Sequence, residues 1–440
     1  MSLLGCTPRA DIDDRAPSAA PERSAEPPSF RPPVSPDLMV FPSGIQVTDV
    51  RQNDARLTVR WIGTTTIRVD LYVAIGAEEW SLQSQVDLEP GDNERVTYVL
   101  EDLQPDQAYT LIAHRDEQTF SEPTRFRTAL DFGADRIIRF GASSCMGNNQ
   151  RPWPTLSRAA ERDFDFFILS GDMVYADNSA TESKYRDVWN ASLGEQGYRD
   201  LSSSTSFITI WDDHEVDNNW SWTDPIVSTW VEPARRVYEE VLPWVHGPSD
   251  ENSLWRQLSW GTTLDVFVLD SRGERRNGDY VSASQLLWLK DALLSSQSRF
   301  KIIVNSVPIT DFSYWFGEIE ADDRWQGYPE QRNELLSHIE DHAIDGVLWV
   351  SGDFHYPQLG RLAFEEEDLG GRYYEILAGP AGSNINPLVT TGLLQSNDQF
   401  PIVLETWTYV SVTLDPSDGT ASIEFVDGDG AVVATRLLEL

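Results

Sequence analysis

The chain is predicted to be a layered α/β protein with a small all-β module ahead of it. Three observations carry this. Short apolar runs alternate with helix-spaced stretches from about residue 137 to residue 350, and strands of period two occupy about residues 44 to 128. A length of 440 residues also exceeds one ordinary core, which favours two folded units. The apolar fraction of 40 % and the 16 Trp are enough for a sizeable core and for aromatic cleft walls.

Taken in order, residues 1–42 form a tether rich in Pro, Ala, Ser and charge, with few side chains able to pack. Leu3-Leu4-Gly5-Cys6 resembles the end of a bacterial lipoprotein signal, in which the cysteine is lipidated and becomes the mature N-terminus. Six residues cannot themselves export a protein, so lipidation of Cys6 implies a start upstream of Met1. The alternative is a chance tetrapeptide ahead of a disordered tail.

Residues 43–130 alternate apolar and polar in Gln46-Val-Thr-Asp-Val, Ala55-Arg-Leu-Thr-Val-Arg-Trp, Thr66-Ile-Arg-Val-Asp-Leu-Tyr-Val, Arg95-Val-Thr-Tyr-Val-Leu and Tyr109-Thr-Leu-Ile-Ala. Such strands read as a β-sandwich. The run from Leu103 to Tyr109 is similar to the fibronectin type III segment where a tyrosine turns a corner into the next strand. A fibronectin III/immunoglobulin-like domain is therefore expected.

Residues 131–440 are expected to form the second, larger unit. Apolar strands at Ile137–Phe140, Phe164–Leu169, Phe207–Trp211, Leu264–Leu269, Lys301–Val304 and Gly346–Val350 alternate with helices near 153–162, 232–241, 284–294 and 330–342. Strands return at Thr408–Leu414, Ala421–Val426 and Ala431–Thr435 and complete the sheets.

Charge and cysteine content exclude several classes. Seventy-one acidic residues against 34 basic make a net charge of −37, which repels nucleic acids and anionic membranes. Salty or calcium-rich surroundings suit that excess, and so does simple solubility. Cys6 and Cys145 are too few and too different in context for a disulfide framework. No apolar run approaches the roughly 20 residues of a membrane span.

Chemistry is expected where layered α/β folds bind ligands, beyond the carboxyl ends of strands. Four apolar strands run into polar groups there: Ser144-Cys145, Gly171-Asp172-Met-Val-Tyr175-Ala-Asp177, Asp212-Asp213-His214-Glu215-Val-Asp217-Asn218-Asn219, and Gly352-Asp353-Phe-His355. One Gly-Asp at a strand end is ordinarily a turn whose Asp caps a helix. Two of them, with Tyr175 one helical turn beyond Asp172 and His355 two residues beyond Asp353, point to a shared site in which Asp172 bridges two cations. Cys145 could be a small core residue, and its strand-end company favours a ligand. His114, His246, His338 and His342 lack such context and read as structural or surface.

Gly171-Asp-Met-Val-Tyr-Ala-Asp177 resembles the Gly-Asp-x-x-Tyr motif of purple acid phosphatases. Together with Ser144-Cys145, Trp211 to Asn219, Leu269-Asp-Ser-Arg272, Gly327-Tyr-Pro329 and Gly352 to His355, it is similar to the PhoD-type alkaline phosphatase/phosphodiesterase family of the calcineurin-like metallophosphatases. The resemblance covers about Gly44 to the C-terminus. It implies a four-layer α/β/β/α metallophosphatase sandwich preceded by the small all-β domain. It further implies Cys145, Asp172, Tyr175 and His355 around Fe³⁺, and Asp172, Asp353 and either Asp213 or Asn218 around Ca²⁺, with Zn²⁺, Mn²⁺ or Mg²⁺ as other occupants. Where other metallophosphatases have Gly-Asn-His-Asp/Glu, this chain has Asp212-Asp213-His214-Glu215, so the oxygen ligand stays open between Asp213 and the later Asn218 or Asn219.

The expected reaction is hydrolysis of a phosphate ester by in-line attack of metal-activated hydroxide. His214 protonates the leaving oxygen and Arg272 orients the phosphate; Asn305, at a further strand end, contacts substrate or supports the ligands. Arg275 and Arg276 complete a local basic cluster that serves either phosphate or ion pairs. The alternatives are a diester-preferring enzyme for phospholipid or cell-wall polymer, and a phosphate- or metal-binding lipoprotein without catalysis. An extracytoplasmic monomer, anchored through Cys6 if it is lipidated, is the expected state.

Overall fold

Apolar–polar alternation in the N-terminal stretch becomes β1 (Ile45–Thr48), β2 (Ala55–Arg60), β3 (Ile67–Ala74), β4 (Trp80–Leu88), β5 (Arg95–Leu100), β6 (Ala108–Asp116), β7 (Thr119–Phe120) and β8 (Thr124–Arg127). The computed structural model describes residues 35–75, 79–91, 93–247, 253–276, 278–312, 321–362 and 373–440. Cys6 and nearly all of the expected tether lie outside these residues. β3, β4, β6, β7 and β8 make one antiparallel sheet and β1, β2 and β5 face it, with Val47, Leu57, Val69, Leu71 and Tyr109 in the shared core. The Gln104 N–H donates to the Tyr109 hydroxyl at 2.8 Å, the tie expected of the tyrosine corner.

The module's second sheet does not end within the module. β1 pairs in parallel with a strand of the following unit, Thr48 opposite Phe207. Beside this junction the buried Asp49 carboxylate accepts the Val245 N–H at 2.7 Å and pairs with the buried Arg256 guanidinium, Nη2 to Oδ1 2.8 Å.

The larger unit continues with β9 (Ile138–Ser143), α1 (Pro154–Ala159), β10 (Phe166–Ser170), α2 (Glu182–Leu193), α3 (Gln196–Ser204), β11 (Phe207–Ile210), α4 (Val231–Val241), β12 (Arg256–Trp260), β13 (Leu264–Val268), α5 (Ser271–Glu274), α6 (Ala283–Ser295), β14 (Phe300–Val304), α7 (Pro329–Asp341), β15 (Val347–Ser351), β16 (Gln358–Arg361), β17 (Tyr374–Leu377), α8 (Pro387–Thr390), β18 (Ile402–Val403), β19 (Thr408–Asp415), β20 (Thr420–Asp427) and β21 (Val432–Glu439). One sheet runs β21-β20-β19-β9-β10-β11-β1-β2-β5 and the other β12-β13-β14-β15-β17-β16-β18.

Strand periodicity sorts the layers. Phe140, Ile168, Ile210 and Val412 of the first sheet share a core with Val266, Ile302 and Trp349 of the second, and with Leu289 of α6 and Leu335 of α7. Their neighbours Phe167, Leu169 and Phe207 point the other way, onto Trp189 of α2, Leu201 of α3 and Val237 of α4. The order is helix, sheet, sheet, helix, as the resemblance implies. β9, β10 and β11 are adjacent and parallel, as are β13, β14 and β15, so their carboxyl ends bring several loops to one place. Among the described residues no helix is long and apolar enough to cross a membrane.

Candidate metal centre

Two glycines let these loops meet. Gly171, after β10, has φ +98°, and a Cβ there would sit 2.7 Å from the Asp212 Cβ. Gly352, after β15, would place one 2.7 Å from both the Ser144 Cβ and the Ser170 carbonyl. Each Gly-Asp is thus a point of close approach between loops. The residues that follow hold left-handed backbone: Asp172 φ 54°, Asp353 φ 68°, His355 φ 56°, and Cys145 after β9 φ 56°. Non-glycine residues adopt this conformation at a cost, and they gather where side chains must be aimed.

Three overlapping groups result, each with donor atoms within 4.8 Å of one another: Cys145, Asp172 and His355; Asp172, Asp213 and His214; Asp212, Asp213 and Asp353. Asp172 belongs to the first two, and Asp353 shares a group with Asp212 and Asp213 but not with Asp172. The Tyr175 hydroxyl lies 3.3 Å from both Asp172 Oδ2 and His355 Nε2, which brings it into the first group. It arrives there on a loop, not the expected helical turn. The positive φ at both Asp353 and His355 sends Asp353 to the oxygen-rich group and His355 to the thiol-bearing one. Of the two residues left open, Asp213 is buried inside the cluster and Asn218 is exposed. Asn219 is exposed too, and its backbone N–H donates to Asp213 Oδ2 at 2.6 Å.

These groups carry more buried acid than their partners neutralise. Burial first, then Asp172, pushes the Asp213 carboxyl up to about 6. Burial and neighbouring carboxylates raise Asp353 and Glu215 well above the usual range, and burial with Asp172 does the same to the Cys145 thiol and the Tyr175 phenol. Asp172 Oδ1 and Asp213 Oδ1 are buried without a hydrogen-bond partner. Orphaned carboxylate oxygens facing a thiol, a phenol and an imidazole fit multivalent cations, which would satisfy the oxygens and relieve the repulsion. The thiol-bearing group has the donors of a transition metal and the carboxylate group those of a hard cation.

Around the donors stands a supporting layer that the sequence signalled only in part. His214 Nδ1 lies 2.8 Å from Asp177 Oδ1, and its ring stacks on Tyr175 with centroids 3.9 Å apart. Burial would lower the His214 pKa, but Asp172, the Asp177 hydrogen bond and Asp213 outweigh it and raise it to about 10. Glu215 accepts the backbone N–H groups of Asp172, Met173 and Asp212 and so pins two loops together.

Arg272, expected to face phosphate, is buried, with Nε on Asp212 Oδ1 at 2.6 Å and Nη2 on Asp323 Oδ2 at 2.8 Å. Asp212 and Asp323 engage the fork because burial there requires counter-charges. Asn305 is fully buried and donates Nδ2 to the Val307 carbonyl; its neighbour Ser306 is the one that reaches Asp212, Oγ to Oδ1 2.7 Å. Glu215, Asp177 and Asp212 sit inside motifs singled out from sequence, whereas Asp323 and Ser383, which bonds the Tyr175 hydroxyl, carry no local signal.

A helix–sheet–sheet–helix fold with unlike metal donors gathered at its strand ends defines a protein of the metallophosphatase class. Residues 140–404 match the family model described as PhoD-like phosphatase, and the chain belongs to that family. It is 23 % identical over 362 residues to alkaline phosphatase D of Bacillus subtilis (strain 168), an alignment covering 68 % of this chain and 61 % of that protein. The chain thus spans about three fifths of the length of that relative. In fold it is similar to a solved structure of PhoD, with TM-score 0.76 and 18 % identity over 96 % of this chain and 90 % of that one. A purple acid phosphatase from yellow lupin (Lupinus luteus) seeds follows at TM-score 0.66 and 14 % identity, covering 91 % and 75 %.

Proposed function

We propose that the chain hydrolyses phosphate esters at this centre, with Cys145, Asp172, Tyr175 and His355 holding Fe³⁺ and Asp172, Asp213 and Asp353 holding Ca²⁺; Zn²⁺, Mn²⁺ or Mg²⁺ are the alternative occupants. The observation that carries the reading is the pair of buried, unpartnered oxygens on Asp172 and Asp213 within a ring of unlike donors. Bound cations supply Lewis acidity, acidify water and neutralise phosphoryl oxygens. Asp177 holds Nδ1–H of His214 and leaves Nε2 to hand a proton to the departing oxygen. Arg272 acts through Asp212, fixing that carboxylate beside the donors, and is a positioning residue.

Metal analysis with a visible spectrum tests the site: an Fe³⁺–phenolate or Fe³⁺–thiolate pair absorbs in the visible and Tyr175→Phe shifts the band. Hydrolysis of p-nitrophenyl phosphate and of its bis ester by protein loaded with Fe³⁺ and Ca²⁺ tests the activity, and the ratio of the two rates separates monoester from diester preference. Absence of both hydrolyses, or full activity in Asp172→Asn, would sink the reading. We also propose an extracytoplasmic location with a lipid anchor on Cys6, supported by the Leu-Leu-Gly-Cys motif. A mass spectrum of the native protein without a diacylglyceryl group on Cys6 would remove the anchor.

A further inference from the structure

Beside the Asp213 flank of the centre opens a cleft of about 660 Å³ whose walls the hydrolytic chemistry does not use. It is lined by Asn219, which holds Asp213, and by Asp323, which holds Arg272. Its walls also include Trp220, Trp222, Tyr328, Arg275 and the exposed Arg276. A phosphoryl group fills a small part of that space, so an ester substituent extending from the centre along this flank enters it.

The lining has an uneven polarity. Asp323 is shared between Arg272 and Arg275, Arg275 Nη1 to Oδ1 2.8 Å. Arg275 Nε and Nη2 and the Trp220 indole N–H are buried without hydrogen-bond partners. Arg276 is exposed; its guanidinium lies 3.5 Å over the Trp222 ring, and among the described residues it has no carboxylate within ion-pair distance. Trp222 is in turn tied by its N–H to the Gly273 carbonyl at 3.1 Å. In a chain of net charge −37, a cation stacked on an indole and left without a counter-ion is a poised anion contact. The acid at this rim is the exposed Asp322.

We propose that the cleft is a specificity subsite for the organic part of the ester, selecting a flat ring that bears a second anionic group, carboxylate or phosphate. The ring lies against Trp220, Trp222 and Tyr328, and the anion meets the exposed Arg276. The subsite rests on the phosphoesterase reading above. Hydrolysis forms one P–O bond to the oxygen of water and breaks the ester P–O bond, with a water proton ending on the leaving oxygen, so the anionic ring departs as its alcohol.

The test compares 4-carboxyphenyl, 4-carbamoylphenyl and 4-(aminomethyl)phenyl phosphate on metal-loaded protein, with Arg276→Gln as reference. The expected result is a carboxyl-over-carbamoyl ratio of kcat/KM about tenfold higher in the parent than in Arg276→Gln, the effect of one charge-assisted contact. Quenching of tryptophan fluorescence by 4-carboxybenzylphosphonate, which is not hydrolysed, should weaken by a similar factor in Arg276→Gln. Equal ratios in parent and variant with unchanged quenching overturn the subsite and leave the phosphoesterase reading intact. A preference for the aminomethyl ester also overturns it, making Asp322 the selecting group. No hydrolysis of any ester by the loaded parent overturns the phosphoesterase reading and the subsite with it.

Discussion

Three elements separate Asp177 from His214 in the chain, yet their 2.8 Å contact sets which imidazole nitrogen is free. Replacing Asp177 with Asn should leave metal content unchanged and lower kcat about tenfold to a hundredfold on phenyl phosphate, whose leaving oxygen needs a proton. The loss on p-nitrophenyl phosphate should be much smaller; equal losses on both would argue against His214 as the acid. Asp270 makes a separate case. Burial, then Glu274, raises its carboxyl to about 6 although Trp211 Nε1 donates to it at 2.8 Å. A raised carboxyl contributes stability below its unfolded pKa of roughly 4, and that contribution is lost as pH rises through about 6. Asp270→Asn should therefore gain thermal stability relative to the parent at pH 8 compared with pH 4, and a pH-independent difference in melting temperature would refute the assignment. The glycines before Asp172 and Asp353 were conspicuous in sequence, but only the 2.7 Å approaches show that they separate loops.

The central strands were legible as short apolar runs because they are buried on both faces, and the helices by the period that a single dry face writes into the sequence. β9, β10, β11, β13, β14 and β15 fall within a few residues of their expected places, as do α1, α4, α6 and α7. β4 was not placed because most of its side chains are exposed and its polar run shows no alternation. α2 does bury Tyr185, Trp189 and Leu193 at four-residue spacing, but among charged neighbours that stripe is thin. At this scale the loop approach is testable. Gly352→Ala should cost about 1–3 kcal/mol in urea unfolding and weaken metal retention, since its Cβ meets backbone at Ser170. Tyr109→Phe should remove one hydrogen bond, about 1 kcal/mol, without affecting hydrolysis. An activity loss there would mean that the module shapes the centre.

Across the whole molecule, the nine-stranded sheet passes from the β-module into the catalytic layers through β1 and β11, and the buried Asp49–Arg256 pair sits at that seam. Removing one partner strands a charge in a dry interior, so Arg256→Ala should cost about 3–5 kcal/mol. With a shared sheet, urea unfolding of the parent followed by circular dichroism and by tryptophan fluorescence should give coincident transitions; two separated ones would show that the module unfolds on its own.

By itself the sequence determined the layered class, the succession of strands and helices along the chain and which strand ends carry candidate metal donors, because periodicity and strand-end polarity are local properties. It also placed Cys145, Asp172, Asp213, His214, Asp353 and His355 among the candidates. Only the tertiary structure decided how those residues divide into overlapping donor groups, that Arg272 faces Asp212 and Asp323, and that Asp213 lies inside the cluster while Asn218 is exposed. Those outcomes depend on distances between loops far apart in the chain and on where burial demands a counter-charge, and neither leaves a pattern along the sequence.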